Sequence, residues 1–229
     1  PYEFETAGSP CWHDGFLYFT NNNLQEPDHS RTMRISDSGG FEVIRDPNGA
    51  TTSTYTTGRG TFYCTEMVGR RVVEMSPDGD VVGVLAETYD GRPLDNPNDM
   101  TLDAKGGAYF TDSSFLAGHE LYQTACVYYV SADGTITRVI DDISFPNGLE
   151  LTPGGQTLIV VNTMGGSDKG RSIYAFDVNA DGTVTNKRVF GELEMAPEEM
   201  AKEDGASGAD GTAMDIEGNL YVATTKGLG

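Results

Sequence analysis

The chain has 229 residues, 38% hydrophobic and 10% aromatic, which is enough apolar material for a packed core and too much for a disordered segment. Fifteen Lys and Arg stand against 35 Asp and Glu, and the resulting formal charge of −20 repels phosphate backbones and argues against nucleic acid as a partner. No run approaches the ~18 consecutive apolar residues of a membrane span, so no membrane partner is expected either.

The chain begins Pro1-Tyr2, with neither a methionine nor an apolar leader. A cleaved signal peptide and an unseen N-terminus fit that equally, which leaves cytoplasm, periplasm and secretion open. Cys11, Cys64 and Cys126 are too few and too dispersed for a disulfide framework or a zinc knuckle. Cys64 and Cys126 lie in or beside apolar strands, where a thiol packs as a small hydrophobe.

Five segments repeat one pattern, a turn followed by a β-branched or aromatic strand. They run Asp14 to Thr20, Gly60 to Thr65, Gly107 to Asp112, Gln156 to Val161 and Gly218 to Ala223. Aligned on Tyr18, Tyr63, Tyr109, Ile159 and Tyr221, they are spaced by 45, 46, 50 and 62 residues. A strand-built repeat of about 40 to 50 residues is that of propeller blades. Between the repeats lie Asp78-Gly79, Asp133-Gly134 and Asp181-Gly182, each flanked by strand-like runs, with Ser38-Gly39-Gly40 in the matching place of the first repeat. Asp-Gly supplies the positive φ that a tight hairpin needs. Each unit therefore reads as an inner strand, an aromatic strand and an outer hairpin, four strands to a blade.

The expected fold is all-β, a single six-bladed propeller domain over residues 1–229 with four-stranded antiparallel blades. Blades fall at about 8–46, 49–89, 96–142, 146–193 and, incomplete, 209–229, with the closing sequence expected beyond Gly229 because an open array leaves an unpaired sheet edge. Helical periodicity is confined to Pro197–Lys202, a turn or two opening on proline inside the acidic stretch 192–204, which reads as a surface insertion.

Propeller channels are lined by residues at the start of each inner strand. Eleven residues before Tyr109 stands Asn98, eleven before Tyr221 stands Asp210, and twelve before Ile159 stands Asn147. Eleven before Tyr63 stands Thr52, a hydroxyl that could contact a substrate. Pro-Asn-Gly and Asp-Gly are ordinary turn sequences when taken singly. It is the shared phase against the repeat that points to a site. Amide and carboxylate oxygens together suit a hard divalent cation, Ca²⁺ foremost, with Zn²⁺, Mg²⁺ and Mn²⁺ as alternatives.

Asn98-Asp99, Pro146-Asn147-Gly148-Leu149 with Thr152-Pro153-Gly154-Gly155, and Asp210-Gly211 with Asp215 to Tyr221 resemble the regucalcin/gluconolactonase (senescence marker protein, SGL) family. Tyr109-Phe110-Thr111-Asp112 and Ser9-Pro10-Cys11-Trp12 add to the resemblance, which runs through the whole chain in order. It implies a six-bladed propeller that binds a divalent cation in its channel and hydrolyses sugar lactones, with Asn98, Asn147 and Asp210 as metal ligands and Asp210 activating water. Related propellers hydrolyse organophosphates.

Two positions depart from the family pattern. Where the family carries a glutamate that completes the metal shell, this chain has Gly8, with Glu5 three residues upstream. Where the family carries a substrate-binding arginine, two residues before Asn98, this chain has Asn96, which can bond a hydroxyl but cannot pair with an anion. His119 follows the third aromatic strand and is a candidate substrate contact over the channel mouth, set against the commoner role of a surface loop histidine. No nucleophile elbow, phosphate loop or dinucleotide fingerprint occurs. The expected activity is metal-dependent hydrolysis of a small-molecule lactone. A non-catalytic ligand-binding propeller and an organophosphate or ester hydrolase on the same cation stand as alternatives.

Overall fold

A computed structural model describes residues 4–23, 25–113, 125–167, 170–195, 197–202 and 206–229. The chain divides into two compact units, residues 1–98 and 99–229.

The first unit holds two antiparallel sheets, each a meander in chain order. One comprises β1 (Thr6–His13), β2 (Phe16–Asn22), β3 (Arg31–Ser36) and β4 (Phe41–Arg45). The other comprises β5 (Thr51–Thr56), β6 (Phe62–Glu66), β7 (Arg71–Met75) and β8 (Val81–Ala86), followed by a short hairpin of β9 (Thr88–Tyr89) and β10 (Arg92–Pro93). Alternation along the strands sends Tyr18, Phe62, Cys64, Val73 and Met75 into one buried cluster. Its centre is the Tyr18–Phe62 ring pair at 4.6 Å, and the His13 ring meets the Phe62 edge at 5.2 Å. His13, beside the Asp14-Gly15 turn, is therefore half-buried against an aromatic. Burial pushes the Cys64 thiol up to about 12, so it stays protonated and packs as an apolar group. Glu66, 1% exposed, sits between Arg45 and Arg71 at 2.5 and 2.7 Å, so its buried charge is paired on both oxygens.

The second unit holds most of a third sheet, all of a fourth and a three-stranded fifth. The third comprises β11 (Pro97–Leu102), whose first two residues precede the unit boundary, β12 (Ala108–Asp112), β13 (Cys126–Val130) and β14 (Ile136–Ile140). The fourth comprises β15 (Pro146–Leu151), β16 (Thr157–Asn162), β17 (Ser172–Val178) and β18 (Val184–Glu192). After the short helix α1 (Pro197–Ala201) come β19 (Thr212–Met214), β20 (Leu220–Thr224) and β21 (Gly227–Leu228). One core joins the third and fourth sheets through Tyr109, Val127, Tyr129, Leu149, Leu158, Val160 and Phe176. A second joins the fourth and fifth through Ile159, Val161, Ile173, Ala175, Ala209 and Val222.

The five aligned positions all fall in the second strand of a sheet, and Gly79, Gly134 and Gly182 turn the outer hairpins at φ of +93°, +84° and +84°. The expectation of six four-stranded blades is corrected. The described residues hold five blade sheets, four of four strands and a fifth of three, besides the two-stranded β9–β10 hairpin. The reason is repeat length, since spacings of 45 to 62 residues fit only that many units into this chain. Tyr221 is 43% exposed, whereas its counterparts Tyr18, Tyr63, Tyr109 and Ile159 are buried. No helix among the described residues is long and apolar enough to cross a membrane.

Candidate active site

Strand register explains why the site positions share a phase. Tyr18 pairs with Cys11, Tyr63 with Tyr55, Ile159 with Glu150 and Tyr221 with Ala213. Three residues before each partner stand Gly8, Thr52, Asn147 and Asp210. The count to Asn147 is twelve rather than eleven because the β15–β16 hairpin is one residue longer, not because the position has shifted. Inner strands break their register just here, with irregularities between Gly8 and Cys11, Thr51 and Ser53, and Pro146 and Leu149. Such bulges re-aim side chains at strand ends.

In the second unit the structure brings Asn147 and Asp210 together. Asn147 is 2% exposed, and its Nδ2 donates to Ala209 O at 3.2 Å and to Asp210 Oδ1 at 3.3 Å. Thr163 Oγ1 donates to the same Ala209 carbonyl at 2.5 Å. Asp210 N donates to Ala223 O at 2.9 Å, so β20 holds the run that carries the carboxylate. The residue itself is exposed, which leaves the carboxylate open to a ligand. Gly148 lets the two runs meet: a Cβ there would collide with Asp210 O and lie 2.9 Å from Thr212 Cγ2.

In the first unit, Asn98 is 8% exposed, and its carbonyl accepts the Thr52 hydroxyl at 2.8 Å and the Thr65 hydroxyl at 2.5 Å. Ser9 Oγ donates to Thr52 O at 2.5 Å, tying β1 to β5. Asn96 is buried and its Nδ2 donates to Met67 O at 3.1 Å. A Cβ at Gly8 would meet only Thr20 Oγ1, at 3.8 Å, so the missing glutamate leaves ordinary space. Glu5 is exposed, its backbone N–H bound to Asn21 Oδ1 at 2.9 Å. His119 lies outside the described residues.

Among the described residues no three His, Cys, Asp or Glu gather into a metal-ligand cluster. The side chains that do gather are an amide and a carboxylate, residue types whose oxygens fit Ca²⁺ chemistry better than nitrogen- or thiolate-rich sites, although the contact seen here is made by the amide N–H. Thr163, Ser113 and Asp99 hold this pair from behind; the sequence singled out neither Thr163 nor Ser113, and Asp99 only as part of the Asn98-Asp99 motif. For Asp99 and Ser113 the only signal is position, one residue past Asn98 and Asp112.

Meander sheets joined in chain order, with polar positions in phase on their inner strands, define a β-propeller. The fold matches a gluconolactonase of Xanthomonas campestris with a TM-score of 0.77 at 26% identity, over 97% of this chain and 71% of that one. It also matches regucalcin, a calcium-binding protein of Agrobacterium tumefaciens, with a TM-score of 0.71 at 19% identity, over 96% and 68%. The chain belongs to the SMP-30/gluconolactonase/LRE-like family, whose profile matches residues 6–229. A gluconolactonase of Zymomonas mobilis is 24% identical over 244 residues, which cover 99% of this chain and 66% of that protein. The chain spans between 36% and 66% of the lengths of the first three curated relatives it matches.

Proposed function

We propose that the protein is a lactone hydrolase that opens a sugar-type lactone with the help of a divalent cation, Ca²⁺ foremost. The observation that carries this reading is the pairing of Asn147 Nδ2 with Asp210 Oδ1 at 3.3 Å, which sets a buried amide beside an exposed carboxylate. Family membership and the named gluconolactonases among its relatives support the substrate class.

Asn98, Asn147 and Asp210 would hold the cation, a reading supported by their oxygen-bearing side chains and their shared phase against the repeat. When bound, the cation polarises the lactone carbonyl and stabilises the oxyanion. Asp210 takes a proton from water as the water oxygen attacks the carbonyl carbon, and returns it to the ring oxygen as the ester C–O bond breaks. Asn147 orients the Asp210 carboxylate through its amide N–H and stays fixed by its second bond, to Ala209 O. Thr52, Asn96 and His119 are the proposed substrate contacts. Without an arginine at position 96, neutral hydroxylated lactones are favoured over anionic ones.

One observation favours a second reading. Gly8 stands where the family carries a carboxylate, and a propeller short of one charged ligand could bind without turning over. Proton release measured on sugar lactones, simple lactones, aryl esters and phosphotriesters separates the readings. The expected result is turnover of sugar lactones with kcat/KM about 100-fold above that for phosphotriesters. No turnover of any of them by folded protein would leave a binding propeller, and preference for phosphotriesters would move the assignment to organophosphate hydrolysis.

A further inference from the structure

The segment that carries Asn147 is held from the neighbouring sheet by two side chains that no functional role so far accounts for. Ser113, buried at the end of β12, donates its hydroxyl to Pro146 O at 2.8 Å. Asp99, in β11, accepts Leu149 N–H on Oδ2 at 3.3 Å. The two bonds therefore bracket Asn147-Gly148, one on each side, across the irregular stretch where β15 leaves its register with β16. An irregular stretch lacks the regular ladder bonds that would otherwise hold its peptides.

Asp99 is itself anchored. Its Oδ1 accepts Met100 N–H at 2.9 Å, and its own N–H donates to Thr111 Oγ1 at 3.0 Å on the adjacent strand. Both carboxylate oxygens are thus engaged by backbone donors, one local and one from the next sheet. On the far side, Asn147 passes the constraint on, since its amide reaches both Ala209 O and Asp210 Oδ1. The order of contacts runs from β11 and β12, through the Pro146–Leu149 stretch, to the carboxylate before β19.

We propose that Asp99 and Ser113 are positioning residues that set the orientation of the Asn147 amide and, through it, of Asp210, without touching substrate. The inference rests on the reading of Asn147 and Asp210 as cation ligands. Groups behind a ligand of this kind typically alter metal affinity by about 10- to 100-fold when removed. Asp99→Asn keeps one acceptor oxygen where two are needed, and Ser113→Ala removes the hydroxyl while leaving the charge of the site unchanged.

The test is calorimetric titration of the full protein with Ca²⁺, which needs no turnover, alongside melting temperatures in EDTA. The proteins are the parent, Asp99→Asn, Asp99→Ala, Ser113→Ala, Asn147→Ser, and Asn147→Ser combined with Asp99→Asn or Ser113→Ala. The expected result is about a 10-fold or greater loss of Ca²⁺ affinity for Asp99→Asn and for Ser113→Ala, with Asp99→Ala worse than Asp99→Asn. In the Asn147→Ser background the same changes should cost less than about two-fold, because their effect passes through Asn147. Unchanged affinity in the single variants overturns the proposal, as do losses that add in full to that of Asn147→Ser. Should Asp99→Ala not fold, Ser113→Ala carries the same test. A parent protein that binds no Ca²⁺ overturns the metal reading beneath it, an outcome distinct from binding that ignores Asp99 and Ser113.

Discussion

Replacing Asp210 with Ala should lower kcat/KM for lactone hydrolysis by about 10²- to 10⁴-fold, the range expected when a positioned proton acceptor is removed. The fold should barely register the change. Asp210 is exposed, and the bond its carboxylate accepts from Asn147 leaves that amide its second partner, Ala209 O. Stability should therefore move by no more than about 0.5 kcal/mol, as for surface positions generally. Asp210→Asn sharpens the test, because it keeps shape and one oxygen but cannot take the proton. An active Asp210→Asn protein would remove Asp210 from the chemistry, and pH-stat hydrolysis rates on both variants decide it.

Gly148→Ala is expected to damage stability and activity together. The added methyl would collide with the Asp210 carbonyl and approach Thr212 Cγ2 at 2.9 Å and Thr212 N at 3.1 Å. Two of the three neighbours are backbone atoms, so no rotamer change relieves the contact. The run before β19 must shift instead. Overpacking of this kind costs about 1 to 3 kcal/mol, and a displacement near 1 Å at the reacting groups costs about 100-fold in rate. Gly211→Ala is the control, since a methyl there meets nothing within 4 Å. Denaturant melts and kcat measured on the pair should separate widely; equal behaviour would mean that the close approach at Gly148 does not matter.

Much of the fold was legible because propeller repeats announce themselves locally. The aromatic strands around Tyr18, Tyr63, Tyr109, Ile159 and Tyr221 and the Asp-Gly hairpin turns are set by alternation and by the positive φ of glycine, both readable within about ten residues. Candidate positions at Thr52, Asn147 and Asp210 could be reached by counting, because the distance from an inner-strand start to the aromatic strand is fixed by strand length and turn length. Even the odd count at Asn147 traces to one extra residue in the Thr152–Gln156 turn. What counting could not supply were contacts between sheets. Nothing in the order Asn98-Asp99-Met100 says that Asp99 turns to the Leu149 N–H, or that Ser113 meets Pro146 O. Nor does the sequence around His13 show that the Phe62 ring, which belongs to another sheet, packs against it. The sixth blade was expected from the family resemblance and from closure of the sheet array rather than from a sixth repeat, and the described residues hold five.

The proposed lactone hydrolysis requires a cation held by oxygen ligands that include Asn147 and Asp210. Its most direct test is lactone hydrolysis by the full protein, followed as proton release, after EDTA treatment and again after Ca²⁺ is restored. Activity lost on chelation and regained with Ca²⁺, in the parent but not in Asp210→Ala, is the predicted result. Hydrolysis that continues undiminished in EDTA would contradict it.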